Sequence, residues 1–289
     1  MSAVVSFRAG LAGTMILASA IAPASTALAQ AAATLACRLE AGPSRAVAAV
    51  IDGDTFRLDD GVEVRLVGTL APRPGDSGGE MPRHSWAPAE AARAGLTALI
   101  AGRSVALAFA EARTDRYGRV LAHVFTKDEQ GGDVWVQGRL VETGMTRAMA
   151  LPDMAACIGE LVSREKQARV ANLGLWSHAA YQVRPADRPT ELARYRHSYQ
   201  LVRGVVERVR QTRGLAIVEL ASGERPPAPE GRGQRHAFKI IWKRRIAETA
   251  GLVDINSLTG RNVLVRGWVD VMHGPEIEIL TAGQLERED

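Results

Sequence analysis

Val50-Ile51-Asp52-Gly53-Asp54-Thr55-Phe56-Arg57-Leu58, followed after a short turn by Val62-Glu63-Val64-Arg65-Leu66-Val67-Gly68, is the stretch that decides the fold. Apolar residues alternate on both sides of Asp52-Gly53-Asp54, the pattern of two strands joined by a tight turn. Glycine at the centre permits a positive φ, and the flanking aspartates can bond the turn's own backbone. Taken alone, Asp52-Gly53-Asp54 reads as ordinary hairpin chemistry. A second short stretch, Thr114-Asp115-Arg116-Tyr117-Gly118-Arg119, supplies another turn and a basic residue just beyond its glycine.

Outward from these stretches the periodicity predicts strands at Ala46–Ile51, Thr55–Leu58, Val62–Thr69, Val105–Phe109 and Val120–Thr126. Residues 71–86, rich in Pro, Gly and charge, read as a long loop. Pro88 opens a helix that runs from Ala89 to Ile100 and stops at Gly102. Val134–Glu142 reads as a short helix. A longer one is capped by Asp153 and ends at Gly174.

Asp54, Arg65 on the following strand and Arg119 after Tyr117-Gly118 together resemble the thermonuclease family, that of staphylococcal nuclease. The likeness spans about Val47 to Trp176, with an Ala-rich helix between the two stretches and a closing Gly174-Leu175-Trp176. It implies an α+β fold, mainly β: an OB-type five-stranded barrel with a helical cap. It also implies a site. Asp54 takes the place of a calcium ligand, and Arg65 and Arg119 take those of phosphate ligands. Calcium is a hard cation that needs oxygen donors, and a guanidinium fork matches phosphate geometry.

The chain departs from that family at two places. The family pattern runs arginine, four residues, aspartate, two residues, glutamate. Arg65-Leu66-Val67-Gly68-Thr69-Leu70-Ala71-Pro72-Arg73 puts Leu70 at the aspartate and Arg73 at the glutamate. Leu70 offers no side-chain ligand, so calcium is held weakly. Arg73 cannot act as a base, because its guanidinium stays protonated. The expectation is a phosphate-binding scaffold with an incomplete active site. Three alternatives stand beside it. Asp76 or Glu80 in the following loop can supply a rearranged acid for a working nuclease. Arg65 and Arg119 can simply pair with Asp54, Asp52 or Asp115. The chain can also be a non-enzymatic OB-fold envelope protein that binds protein or glycan. Restoring Leu70→Asp with Arg73→Glu is expected to raise calcium-dependent cleavage.

Residues 1–29 read as a signal peptide. Arg8 supplies the charged start, Leu11 to Ala22 an apolar core, and Ala27-Leu28-Ala29 a small-x-small cleavage site. The mature protein is thus expected to be exported, periplasmic or secreted, with no stable membrane insertion after cleavage. Residues 30–43 form a mature N-terminal arm. Only two cysteines occur, Cys37 and Cys157. In an exported chain this count points to an intramolecular disulfide, against the alternative of two separate thiols.

The family-like domain is read as 44–177 and a linker as 178–198, with Pro185, Pro189 and a helical turn at Thr190–Arg194. Residues 199–289 form a second, smaller OB-like barrel. Its strands are Leu201–Val209, Leu215–Leu220, His236–Ile241, Asn262–Val269 and Glu276–Leu280, with a helix at Lys243–Ala250. Arg232, Arg235, Lys239, Lys243, Arg244 and Arg245 occur with no carboxylate between Glu230 and Glu248, and with Phe238 and Trp242 among them. Basic residues with interleaved aromatics suit single-stranded nucleic acid, DNA or RNA. The alternative is a solvated basic face over buried rings. Trp268, among strand valines, reads as core. Whole-chain charge is only mildly basic, 36 Lys+Arg against 32 Asp+Glu, which permits an anionic partner without requiring one.

Overall fold

The computed structural model describes residues 37–77, 86–110, 112–224, 237–243 and 255–288. The signal segment 1–29, Glu80, Arg232, Arg235, Arg244, Arg245 and residues 244–250 of the helix expected over Lys243–Ala250 lie outside them, while Lys243 itself ends a strand.

The first unit is built from β1 (Glu40–Val50), β2 (Thr55–Leu58), β3 (Glu63–Leu66), the short β4 (Thr69–Leu70), β5 (Ser104–Phe109), β6 (Val120–Lys127) and β7 (Asp133–Trp135). The sheet order is β3-β2-β1-β5-β6-β7, and a parallel β3–β6 pairing closes five of these strands into a barrel. One strand, β1, serves both halves. Its register shifts between Val47 and Ala49 against β2, and between Ala41 and Ser44 against β5. Such irregularities let a strand turn a barrel corner. Phe56, Val64, Leu66, Val105, Leu107 and Val124 fill the interior. α1 (Ala87–Ile100) covers it with Leu96 and Ile100, one turn apart on one face.

The sequence boundaries shift in four places. β1 begins at Glu40, so the last residues of the expected arm are strand. Val62–Thr69 is two strands, broken at Gly68, whose φ is +76°. The expected helix at Val134 first finishes β7, and α2 is Val136–Glu142. β8 (Arg147–Ala148) then pairs with β4. α3 spans Ile158–Val170 and begins after Cys157, not at Asp153, which lies in a separate 3-10 turn.

Cys37 and Cys157 are disulfide-bonded, with Cα atoms 5.1 Å apart. The bond ties the segment before β1 to the residue that precedes α3, across a sequence separation of 120 residues. Closing so long a loop restricts the unfolded chain. Cys157→Ser is expected to cost about 2–4 kcal/mol. Thermal melts of wild type with and without reductant should show the same loss, and coincident melts would remove the disulfide from the stability of the fold.

The 178–198 connection is packed. It contains β9 (Arg184–Pro185) and α4 (Pro189–Leu192), and it buries Ala180, Tyr181, Ala186 and Leu192. The second unit comprises β10 (Tyr199–Gln211), β11 (Leu215–Leu220), β12 (Lys239–Lys243), β13 (Asn262–Asp270), β14 (Glu276–Ile279) and β15 (Leu285–Glu288). Its order is β15-β13-β14-β12-β11-β10-β9, closed by β13–β10. Strands β10, β11, β12, β13 and β14 therefore repeat the strand order of the first barrel, including one parallel pair, β12–β14. Phe238 and Trp242 are fully buried in its core with Val202, Val218, Val263 and Ile277. Trp268 is not core: it faces outward and is 46% exposed.

The two barrels share a junction. Leu70, Met149, Trp176 and Tyr181 pack against Tyr199, Leu201 and Leu264. Beside this apolar patch, fully buried Arg266 of β13 donates to Glu165 of α3 and to Glu286 of β15. Burial alone would lower the Arg266 guanidinium pKa, but the surrounding Glu165, Tyr199 and Glu286 raise it above its ordinary value.

Candidate phosphate-binding site

The turn after β1 is held by its own backbone. Ile51 and Asp52 N–H groups both donate to the Thr55 carbonyl, at 3.0 and 3.1 Å, and Asp54 N–H donates to Asp52 Oδ1 at 2.9 Å. Gly53 does not adopt the positive φ that the turn pattern allowed. It is needed for space: a Cβ there would lie 2.5 Å from the Ala92 Cβ of α1 and 2.9 Å from the Ala71 Cβ. The turn is thus clamped between α1 and the chain after β4, and this fixes Asp54.

Asp54 is completely buried. Its Oδ1 accepts from Arg65 Nη1 and from Thr55 Oγ1, and its Oδ2 accepts from the Ala71 N–H at 2.6 Å. Arg73, half exposed, brings Nη2 to 3.9 Å from the same Oδ1. Burial pushes the Asp54 carboxyl up to about 6, against the pull of Arg65, the Ala71 N–H and Arg73. Burial also lowers the Arg65 guanidinium pKa, opposed by Asp54 and reinforced by Arg73 and Arg119. Both partners move opposite to what their mutual attraction alone would produce. Desolvation therefore outweighs attraction in this pair. The ionised Asp54 carboxyl costs stability above about pH 6, and that cost fades as pH falls toward its ordinary 3.8.

Arg119 approaches from the β5–β6 turn, where Gly118 has φ +80°. Its Nε and Nη2 donate to Asp115 Oδ2 at 2.8 and 2.7 Å, while Asp115 Oδ1 accepts from the Tyr117 and Arg119 N–H groups. Although partial burial opposes it, these bonds hold the Asp115 carboxyl below its usual range. Arg65 and Arg119 thus each rest on a carboxylate, as the plainer reading of the sequence had it. Arg65 nonetheless lies within the electrostatic reach of both Arg73 and Arg119. A groove of about 440 Å³ opens alongside, lined by Asp52, Arg73, Trp86, Glu90 and Arg93 among others.

Leu70 faces away from this site. It is 3% exposed and belongs to the junction between the barrels, whereas its neighbour Ala71 faces Asp54 and Gly53. Asp76 does not swing into the site either. Its Oδ2 accepts from Arg147 Nη2 at 2.8 Å, Tyr181 Oη at 3.0 Å and the Arg73 N–H at 2.9 Å. Among the described residues no group of three or more His, Cys, Asp or Glu side chains is placed to hold a metal. Calcium does not fit Asp54: both carboxylate oxygens are already engaged, and guanidinium groups surround them.

In the second unit, Lys239 Nζ donates to the His273 carbonyl, and Lys243 pairs with Glu278 at 2.6 Å. With Phe238 and Trp242 in the core, the rings interleaved among these bases are unavailable for stacking.

The first unit is a closed five-stranded barrel of OB order, with Arg65 and Arg73 beside one buried carboxylate. Residues 63–178 match the family model described as "Staphylococcal nuclease homologue", so this region of the chain is similar to that family. The match takes in Arg65, Leu70, Arg73 and Arg119, and it begins after Asp54. No curated protein gave a significant match. The family is calcium-dependent in general, which sets it apart from the donor set found here.

Proposed function

We propose that this protein is an exported nucleic-acid-binding protein on a nuclease-family barrel, one that holds phosphate without efficient cleavage. The observation that carries the reading is Arg73. It occupies the family's glutamate position, with its guanidinium beside buried Asp54, so a cation stands where a water-activating acid is needed. Arg65, Arg73 and Arg119 would take the phosphate oxygens, with Asp115 orienting Arg119. Cationic donors of this kind can bind a phosphodiester, but hydrolysis also needs an activated water, and Arg73 stands where the family places the acid for it. The rearranged-acid reading loses Asp76, which Arg147 and Tyr181 hold, and Glu80 lies outside the described residues.

Purified mature protein should bind a single-stranded oligonucleotide with an affinity that falls steeply with salt, and should cleave it slowly or not at all with or without calcium. Arg73→Ala should weaken binding by about fivefold and reduce the salt slope by about 1. Binding should strengthen as pH falls from 7 to 5, because protonating Asp54 removes the negative charge that competes for Arg65. Asp54→Asn should abolish that pH dependence. Rapid calcium-dependent cleavage by the wild type, or binding indifferent to salt, would refute the reading.

A further inference from the structure

Trp268 is the one large aromatic ring that the second barrel turns outward among the described residues without an account from folding. It stands on β13 with Asp270 two positions on and also exposed, so both project from the same outer face. On one side β10 pairs Tyr199 with Trp268, and the Tyr199 ring meets the indole edge-on, at 5.8 Å and 75°. On the other side runs β14, whose outward residues include Glu278. Leu151 from the first unit and His197 from the connection complete a cleft of about 360 Å³, floored by Val269, Leu280 and Gln284. The cleft therefore lies at the meeting of two barrels, where ligand sites commonly form.

Its charge is opposite to that of the chain as a whole. The lining contains two carboxylates, Asp270 and Glu278, and neither Lys nor Arg. Lys243 reaches Glu278 from the rim. Asp270 Oδ1 accepts from the Val271 and Met272 N–H groups, and its Oδ2 has no hydrogen-bond partner among the described residues. The Tyr199 hydroxyl is spent on the Ala148 carbonyl, at 3.2 Å. What the cleft offers a ligand is an indole face and a carboxylate oxygen, held in place by a rigid barrel wall. A phosphate would be repelled there. A cation gains twice, from the ring quadrupole and from the carboxylate.

We infer that the cleft around Trp268 is a binding site for a guanidinium or alkylammonium group, with Trp268 as its platform and Asp270 as its counter-ion. This site is separate from the arginine cluster of the first barrel and does not depend on that cluster's function.

The test is nuclear magnetic resonance of the full mature chain labelled with nitrogen-15. The indole N–H signal of Trp268 is assigned by its loss in Trp268→Phe. Titration with N-acetyl-arginine amide is expected to move that signal saturably in the millimolar range, typical of a single charged side-chain contact, and Asp270→Asn is expected to weaken this by about fivefold. A parallel titration with tetramethylammonium separates the sources. Saturation by both probes supports a general cation site, and saturation by the arginine amide alone supports a guanidinium site. Backbone amides of β13 report the same titration in Trp268→Phe, which should no longer saturate. Failure of both cations to saturate would overturn the proposal. So would equal response to the neutral sugar chitotriose, or an affinity unchanged by Asp270→Asn in a protein with wild-type spectra elsewhere.

Discussion

Arg266→Ala is expected to destabilise the protein by about 3–5 kcal/mol, the cost of leaving a buried charge without its partner. Glu165 is completely buried, and Arg266 is its cross-barrel counter-ion. Without Arg266, Glu165 keeps only Arg169 at 3.2 Å and the Ala148 N–H at 2.8 Å, while Glu286 keeps Arg169 at 3.6 Å. The charges form one unit, so the losses should not add. Arg266→Met combined with Glu165→Gln should cost clearly less than the two single changes summed, because the second removes the charge that the first strands. Urea denaturation of wild type, Arg266→Ala, Arg266→Met, Glu165→Gln and the double variant measures this. A loss under about 1 kcal/mol for Arg266→Ala, or strict additivity, would show that the network contributes little.

Leu70→Asp should also be costly, by roughly 3–5 kcal/mol, because it puts a carboxylate among Met149, Trp176, Tyr181 and Tyr199. The packing of Leu70 argues against the expectation that restoring the two family acids would rebuild the site. The Leu70 side chain faces the barrel junction, so a carboxylate there cannot join Asp54 around a cation. Arg73→Glu, at a half-exposed position, should fold normally and should place an acid near Asp54 without creating a calcium site. Melting curves with and without millimolar calcium check both statements. A Leu70→Asp, Arg73→Glu protein that melts like wild type, is stabilised by calcium and gains cleavage would show that position 70 can still turn toward the site.

Much of the first barrel was legible because its signals are local. Alternation around Asp52-Gly53-Asp54 marked two strands, and the order of Asp54, Arg65 and Arg119 carried the family likeness. The disulfide followed from two cysteines in a chain read as exported. What sequence could not show was direction. Leu70 stands at a ligand position by spacing, yet the break at Gly68 and the pairing of β4 with β8 turn it toward the second unit. Asp76 read as a loop acid able to enter the site, but its partners lie 71 and 105 residues downstream. Arg147, Arg266 and Glu165 escaped notice for the same reason. A buried charge network has no sequence period, since its members come from separate elements. Trp268 misled differently: valines beside it suggested burial, but strand alternation puts the neighbours of a buried residue outside.

The bridge through Arg147 bears on how this protein can be taken apart. One guanidinium edge holds Asp76, which in turn receives the Arg73 N–H, and the other holds the Tyr199 carbonyl at 2.5 Å. The nuclease-like unit is thus not an interchangeable module. A fragment cut at its family boundary would lose the Tyr199 carbonyl that anchors Arg147 and the Arg266 that neutralises Glu165, and the segment carrying Arg73 would lose part of its anchorage. Silence from such a fragment in a binding assay would report a damaged scaffold, so the smallest informative unit of this protein is the pair of barrels.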